Sequence, residues 1–218
     1  MTTVPSYPAQ VTRQTTHAQY DDALRRAILD EATRRLAADG PDKLGLRPLA
    51  ASQGTSTTAI YTMFGGKAGL LAEVADEADA DLADTLRTAL RHDSVESDMR
   101  ALCRTYRGWA LEHRGLYALL VGERTGGGRR GESAPTVPAW MEPLLEVVDA
   151  LVDEGVFRAG DVHETANSIW ASLHGIVSLE LGVWHDSPSA EQYFEAQVAA
   201  ILRSWATEGG VGAARRAV

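Results

Sequence analysis

The chain has 218 residues, 44% of them hydrophobic and 23% charged, which is the composition of an ordinary globular protein and excludes a disordered or collagen-like one. No apolar run approaches the roughly 20 residues that a membrane span needs, so no membrane partner is expected. The formal net charge of −9 argues against a uniformly basic nucleic-acid binder but is unevenly spread: residues 1–67 carry eight Lys or Arg against six Asp or Glu, and the remainder carries 13 against 24. Phosphate attraction is decided within about a Debye length, roughly 10 Å, so a mildly basic head on an acidic body stays compatible with nucleic acid.

Residues 1–20 are rich in Thr, Pro and Gln, show no apolar period and lack the basic-then-apolar order of a secretion signal. They are expected to form a flexible arm, and the expected location is the cytoplasm. From Asp21 an amphipathic helix is predicted, with Leu24, Ile28, Ala32 and Leu36 on one face, ending at Gly40-Pro41. Leu46, Leu49 and Ala50 then mark a short helix with Pro48 near its start, and Gly54 breaks it. Thr57 to Phe64 puts Ile60 and Phe64 on one side and Thr57, Thr58, Tyr61 and Thr62 largely on another.

After Gly65-Gly66 a long helix is predicted from Lys67 to about Arg91, followed by one carrying Met99, Leu102, Cys103, Tyr106, Trp109 and His113. Gly115 is expected to interrupt it before a short piece from Leu116 to Val121, and Gly122 to Pro138 reads as a loop by composition. Three further helices are predicted: Pro138 to near Gly155, Asp161 to about Trp184, and Ala190 to about Thr207. No strand pattern of useful length appears, so the fold class is all-α, with residues 209–218 as a flexible tail.

Two short helices joined at Gly54 behind a supporting helix are a helix-turn-helix candidate, although a plain helical hairpin with a polar outer face has the same period. The string LGLRPLAASQGTSTTAIYTMFGGKAGLL, residues 44–71, is more specific. It resembles the DNA-binding signature of the TetR family at Leu49-Ala50, Gly54, Ser56, Ile60-Tyr61, Phe64, Lys67 and Leu70-Leu71, with Ile28, Leu29, Ala32 and Gly40 matching upstream. The resemblance implies an N-terminal three-helix DNA-binding domain over 21–66, and a helical ligand-binding and dimerisation domain over 67–208. It assigns DNA contacts to Arg47, Ser56, Thr57, Thr58, Ala59, Tyr61, Thr62 and Lys67. The chemistry fits: Arg47 can fork onto guanine, hydroxyls and Lys67 can reach phosphates, and Ala59 can touch only a thymine methyl. Packing for Tyr61 and helix capping for Thr57 and Thr58 are the competing roles. Three positions depart from the family: Gly45 where a capping Thr or Ser is usual, Thr55 in place of a buried aliphatic residue, and Met63 in place of a phosphate-contacting His.

In the body the final two helices are the expected seam of a homodimer, and Trp170 to Gly175 resembles the Trp-His-Gly signature of one C-terminal subgroup of the family. Tyr106, Trp109, His113, Tyr117, Trp140, Met141, Trp170 and His174 have the aromatic bodies and polar tips of a pocket for a small-molecule effector, and any one of them could equally be ordinary core. No cofactor, metal or catalytic group is expected. Gly126, Gly128 and Gly131 match a phosphate-loop spacing without a strand before them or a helix after. His163-Glu164 lacks its second His, with Asn167 in that place, and Cys103 lies on an apolar face as an inert thiol. The expected function is a ligand-responsive regulator, a repressor released from a near-palindromic operator; a helical binding protein or an enzyme without DNA binding is the alternative.

Overall fold

Ile28, Leu29, Ala32 and Leu36 recur at helical spacing, and all four are buried along one side of α1 (Val11–Asp39). The computed structural model describes residues 11–125, 137–184 and 187–208, and these fold as helices joined by short turns. Among them the only extended pairing is an isolated antiparallel bridge between Phe157 and Ala206. No helix of the described residues is long and apolar enough to cross a membrane. The chain divides into two compact units, residues 1–75 and 76–218.

The first unit contains α1, a 3-10 turn at Pro41–Lys43, α2 (Leu46–Ser52), α3 (Thr57–Phe64) and the first turns of α4 (Lys67–Ala89). Leu44, Leu49, Ala50, Ile60, Phe64, Leu70 and Val74 join the buried face of α1 to make its core. The second unit takes the rest of α4, then α5 (Val95–Glu112), α6 (Arg114–Thr125), a 3-10 turn at Ala139–Met141, α7 (Glu142–Asp153), α8 (Val162–Gly182) and α9 (Ala190–Trp205). Within it α5, α7 and α8 pack on one another, and α9 lies on α8. The loop after α7 is stitched to the end of α9 by Arg158 N donating to the Trp205 carbonyl (2.9 Å) and Thr207 N to that of Val156 (3.0 Å).

Two buried carboxylates hold this unit together. Asp98, on the first turn of α5, accepts from the backbone N–H groups of Arg91 (2.9 Å) and His92 (3.1 Å), which lets His92 hold a left-handed φ of 60°. Glu180 of α8 takes a two-pronged hydrogen bond from Arg107 of α5 at 2.6 and 2.7 Å, and the guanidinium also lies over the Phe194 ring of α9.

Helix boundaries depart from expectation in three places. The first helix begins at Val11 rather than Asp21, so the second half of the expected arm is helical; residues 1–10 lie outside the described residues. The interruption at Gly115 falls instead at His113, whose backbone leaves the helical region as the cap of α5, and Gly115 is buried inside α6. That helix runs to Thr125 through the start of the expected loop, whose remaining glycines at 126, 128 and 131 lie outside the described residues, as does the tail 209–218. The two compact units divide at Ala75/Asp76, because the first two turns of α4 pack Leu70 and Val74 into the first core.

Candidate nucleic-acid interface and aromatic cluster

The turn between α2 and α3 is made by Gly54 at φ 62°, with Thr55 N closing back on the Ala50 carbonyl at 3.0 Å. Ser56 then caps α3, its Oγ accepting from Ala59 N at 3.2 Å. The capping role thus falls on Ser56 rather than on Thr57 or Thr58. Since the hydroxyl oxygen is the acceptor there, the Ser56 proton remains to be donated, so capping and phosphate contact are compatible.

Ile60 and Phe64 anchor the inner side of α3, and Arg25, paired with Glu73 of α4, lies over the Phe64 ring at 4.9 Å. On the outer side Thr58, Tyr61 and Thr62 are exposed, Tyr61 to 60%, while Thr57 and Ala59 are half-buried. Tyr61 is steered as well as exposed, because its ring edge lies across Gly66, where an added Cβ would come within 2.9 Å of it. Thr62 donates its hydroxyl to the Thr58 carbonyl (3.0 Å), leaving oxygen lone pairs but no proton for a phosphate. Arg47 is exposed on α2. Lys67 is half-buried and donates to the Pro41 carbonyl at 3.1 Å, so one of its three N–H bonds serves the fold and two remain.

The structure accounts for Gly45. It caps α2 with no side-chain bond, and an added Cβ would press to 3.1 Å from Cδ of Pro48. Pro48 also removes the backbone N–H that a capping side chain would have bonded, so Thr or Ser would strain the turn for one donor fewer. Arg34 and Arg35 share one carboxylate: hydrogen bonds from Arg34, then Arg35, hold the Glu31 carboxyl down at about 2.

In the second unit five of the predicted rings come together. Tyr106 lies edge-on to Tyr117 and tilted against Trp140, Trp140 packs on Trp170, and Trp170 stacks on His174. A file of hydrogen bonds threads them: Trp170 Nε1–H donates to Tyr106 Oη (3.2 Å), Tyr106 to Tyr117 Oη (3.2 Å), and Tyr117 Oη meets His174 Nδ1 at 2.6 Å. Burial lowers the His174 pKa and raises that of Tyr117, so both groups are neutral near pH 7. Trp109 and His113 form a separate pair 4.9 Å apart, and Met141 is buried in the turn beside Trp140. A cavity of about 10 Å³ lies against Leu82, Tyr106, Tyr117, Leu120, Val121 and Trp140. That is space for about one water.

Sequence reasoning missed the carboxylates that frame this cluster. Asp79 of α4 accepts from the backbone N–H groups of Ala139 (3.2 Å) and Trp140 (3.3 Å), and Asp81 accepts from the Trp109 indole at 2.8 Å. Nothing in the local pattern distinguishes them from the other acidic residues of α4. Along α8 and α9 a groove of about 280 Å³ runs past Ser168, Ser172, Gln197, Ala200 and Ser204. Of the five large apolar side chains exposed among the described residues, Leu179, Val183 and Tyr193 lie on α8, at its end and on α9.

Comparison with known proteins adds the following. The family described as bacterial regulatory proteins, tetR family, matches residues 28–74, and the tetracyclin repressor-like C-terminal domain matches residues 99–201. The HTH-type transcriptional regulator Rv1816 of Mycobacterium tuberculosis (strain ATCC 25618 / H37Rv) is 32% identical over 105 residues, 46% of this chain and 44% of the relative. The match therefore spans less than half the length of that curated relative. A protein of unknown function from Rhodococcus sp. RHA1 is similar in structure, with a TM-score of 0.70, 27% identity, and coverage of 84% of this chain and 96% of the other. The putative regulatory protein SCO4313 has a TM-score of 0.65 at 27% identity, covering 85% of this chain and 98% of its own.

Proposed function

We propose, from the premise that this chain belongs to the TetR family of bacterial regulatory proteins, that it is a homodimeric operator-binding regulator, a repressor released by a small molecule. The observation that carries the reading is the two-sidedness of α3: Ile60 and Phe64 are locked inside while Thr58, Tyr61 and Thr62 are exposed, as is Arg47 on α2. A recognition helix needs that division, since its outer groups must reach base edges and phosphates without moving. Arg47 supplies a guanine fork; Ser56, Tyr61 and Lys67 supply phosphate contacts; Thr57, Thr58, Ala59 and Thr62 line the remainder of the face. Two such helices, one per protomer, would enter successive major grooves about 34–36 Å apart on a near-palindromic site.

Dimerisation through α8 and α9 is supported by the concentration there of exposed Leu179, Val183 and Tyr193. The effector reading is supported by the aromatic cluster, which offers apolar faces and a few directed polar atoms. By the family resemblance, an effector acts by shifting α4, which follows α3 directly.

Selection of a duplex from a random pool by the wild-type protein, then titration of that duplex by fluorescence anisotropy, tests the DNA reading. Arg47→Ala is expected to weaken binding by about 1–3 kcal/mol and to relax preference at one base pair. Lys67→Ala is expected to weaken all sequences alike and to reduce the salt slope by about 1. A wild-type chain that enriches no sequence, or an Arg47→Ala/Tyr61→Ala variant that binds as wild type does, would refute it.

A further inference from the structure

The geometry points to a small neutral phenol as the effector, its hydroxyl taking the place of Tyr117 between Tyr106 and His174. This deepens the effector reading above and rests on it. The direction of the hydrogen-bonded file is set from one end, because the Trp170 indole nitrogen can only donate. Tyr106 Oη accepts from Trp170 and donates to Tyr117, and in the file that continues this direction Tyr117 donates to His174 Nδ1. His174 Nδ1 is then the unprotonated nitrogen, with the ring proton on Nε2.

With His174 Nδ1 unprotonated, and Ser178 Oγ 3.4 Å away as its other neighbour, a group that replaces the Tyr117 hydroxyl and makes both bonds has to accept from Tyr106 and donate to His174 through one atom. A phenolic hydroxyl does both. An ether or ketone oxygen accepts but leaves His174 Nδ1 facing a lone pair, and a carboxylate does the same while carrying a charge among neutral rings. The ring attached to that atom has to be flat, since its ring neighbours are Tyr106 and His174, with Trp140 across the small cavity.

Size leads to the same conclusion. The cavity of about 10 Å³ holds no ring as it stands, whereas a cavity of about 150 Å³ accepts benzene. For a ligand to enter at this cavity, one of the rings around it has to swing out. Tyr106 and Tyr117 are the rings whose departure leaves a space of phenol shape, and of the two Tyr117 is the freer to leave. It rides on α6, which packs chiefly on α5, whereas Tyr106 belongs to α5, held by α6, α7 and α8 together. Exchange of Tyr117 for a free phenol keeps each link of the file made and moves the least-held helix of the cluster.

The test uses the full-length dimer, with its tryptophan fluorescence and the selected duplex as readouts, titrated with phenol, 4-methylphenol, toluene, methoxybenzene, benzoate and cyclohexanol. Phenol and 4-methylphenol are expected to quench the fluorescence saturably, to bind about tenfold more tightly than toluene or methoxybenzene, and to release the duplex. Tyr106→Phe keeps the ring and removes the proton donor, and is expected to bring the affinities for phenol and toluene together, with circular dichroism confirming that the variant folds. Equal affinity of the wild type for phenol, toluene and methoxybenzene would overturn the role of the hydroxyl. Release of the duplex by benzoate or cyclohexanol and not by the phenols would overturn the ligand class and leave the effector reading intact. Phenols that bind the protein without releasing the duplex would uphold the ligand class and overturn the effector reading.

Discussion

Replacing Gly69 by Ala sets two physical effects against each other. In an exposed helix the change is favourable by about 1 kcal/mol, because Ala loses less backbone entropy than Gly. Here the added Cβ would lie 1.8 Å from the Phe64 carbonyl oxygen, against the 3.4 Å at which ordinary contact begins, so 1.6 Å of separation has to be found. Both groups are backbone, and no side chain can turn aside to provide it. The end of α3 and the start of α4 must therefore separate, against a tolerance of about 0.5 Å for a working binding constellation. Overpacking of this kind costs about 1–3 kcal/mol, which cancels or exceeds the gain in propensity. The larger effect falls on DNA, since displacing the recognition helix far enough to lose one bidentate base contact costs about 1–3 kcal/mol, a five- to 150-fold loss of affinity. Fluorescence anisotropy with the selected duplex at fixed salt measures it, with exposed Ala68→Ser on the same turn as the control. Gly69→Ala protein that melts higher than wild type and binds the duplex equally well would show that the contact at Phe64 does not govern the position of α3.

Arg107→Met should destabilise the second unit by about 3–5 kcal/mol, because it strands the buried Glu180 carboxylate, and Arg107→Met/Glu180→Leu should recover most of the loss. Urea unfolding of the four proteins in this cycle checks it, and a single variant within 0.5 kcal/mol of wild type would contradict the ion pair. Cys103 is fully buried, donates to Met99 Sδ at 3.9 Å and has its pKa pushed up to about 12 by desolvation, so a thiol reagent at pH 8 should label it only after denaturation. Rapid labelling of the native protein would count against that burial.

Regular periodicity and glycine punctuation made most of the fold readable in the residues. Ile28, Ala32 and Leu36 repeat on one face and are buried, and Gly40, Gly54 and Gly65 mark turns where the backbone adopts positive φ. The start of α1 was misplaced because residues 11–20 carry no apolar stripe, and periodicity detects a helix only where one face is buried. Gly115 misled for the opposite reason: a glycine lowers helix propensity by about 1 kcal/mol, but packing inside α6 outweighs that. For the pocket candidates, the sequence places all eight, seven rings and Met141, on body helices without separating the Tyr106–Trp140–Trp170 group from the Trp109–His113 pair. That sorting depends on how α5, α6, α7 and α8 pack, and residues distant in sequence leave no local mark of it. Lys67 was read for its charge alone, and its bond to Pro41, 26 positions away, has no local signal either.

The two carboxylates of α4 give the aromatic cluster a mechanical consequence. Trp140 belongs to a 3-10 turn whose N–H groups at Ala139 and Trp140 both end on Asp79. If the departure of Tyr117 moves Trp140 while α4 stays in place, both N–H groups lose their acceptor, at a cost of up to about 1–3 kcal/mol for each donor left dry and unbonded. If α4 follows Trp140, the two bonds survive and the cost shifts to whatever α4 is attached to. By chain continuity that includes α3, which ends at Phe64, two residues before α4 begins. Gly65 and Gly66 supply the left-handed backbone of that connection, and Gly69 allows α4 to start directly against the Phe64 carbonyl, so the link between the two helices is short and has little slack. On these terms Asp79→Asn is a milder change than Asp79→Ala, because the amide oxygen still accepts while the charge is removed. The extent to which each variant uncouples ligand binding from duplex release then measures how much of the coupling passes through this carboxylate.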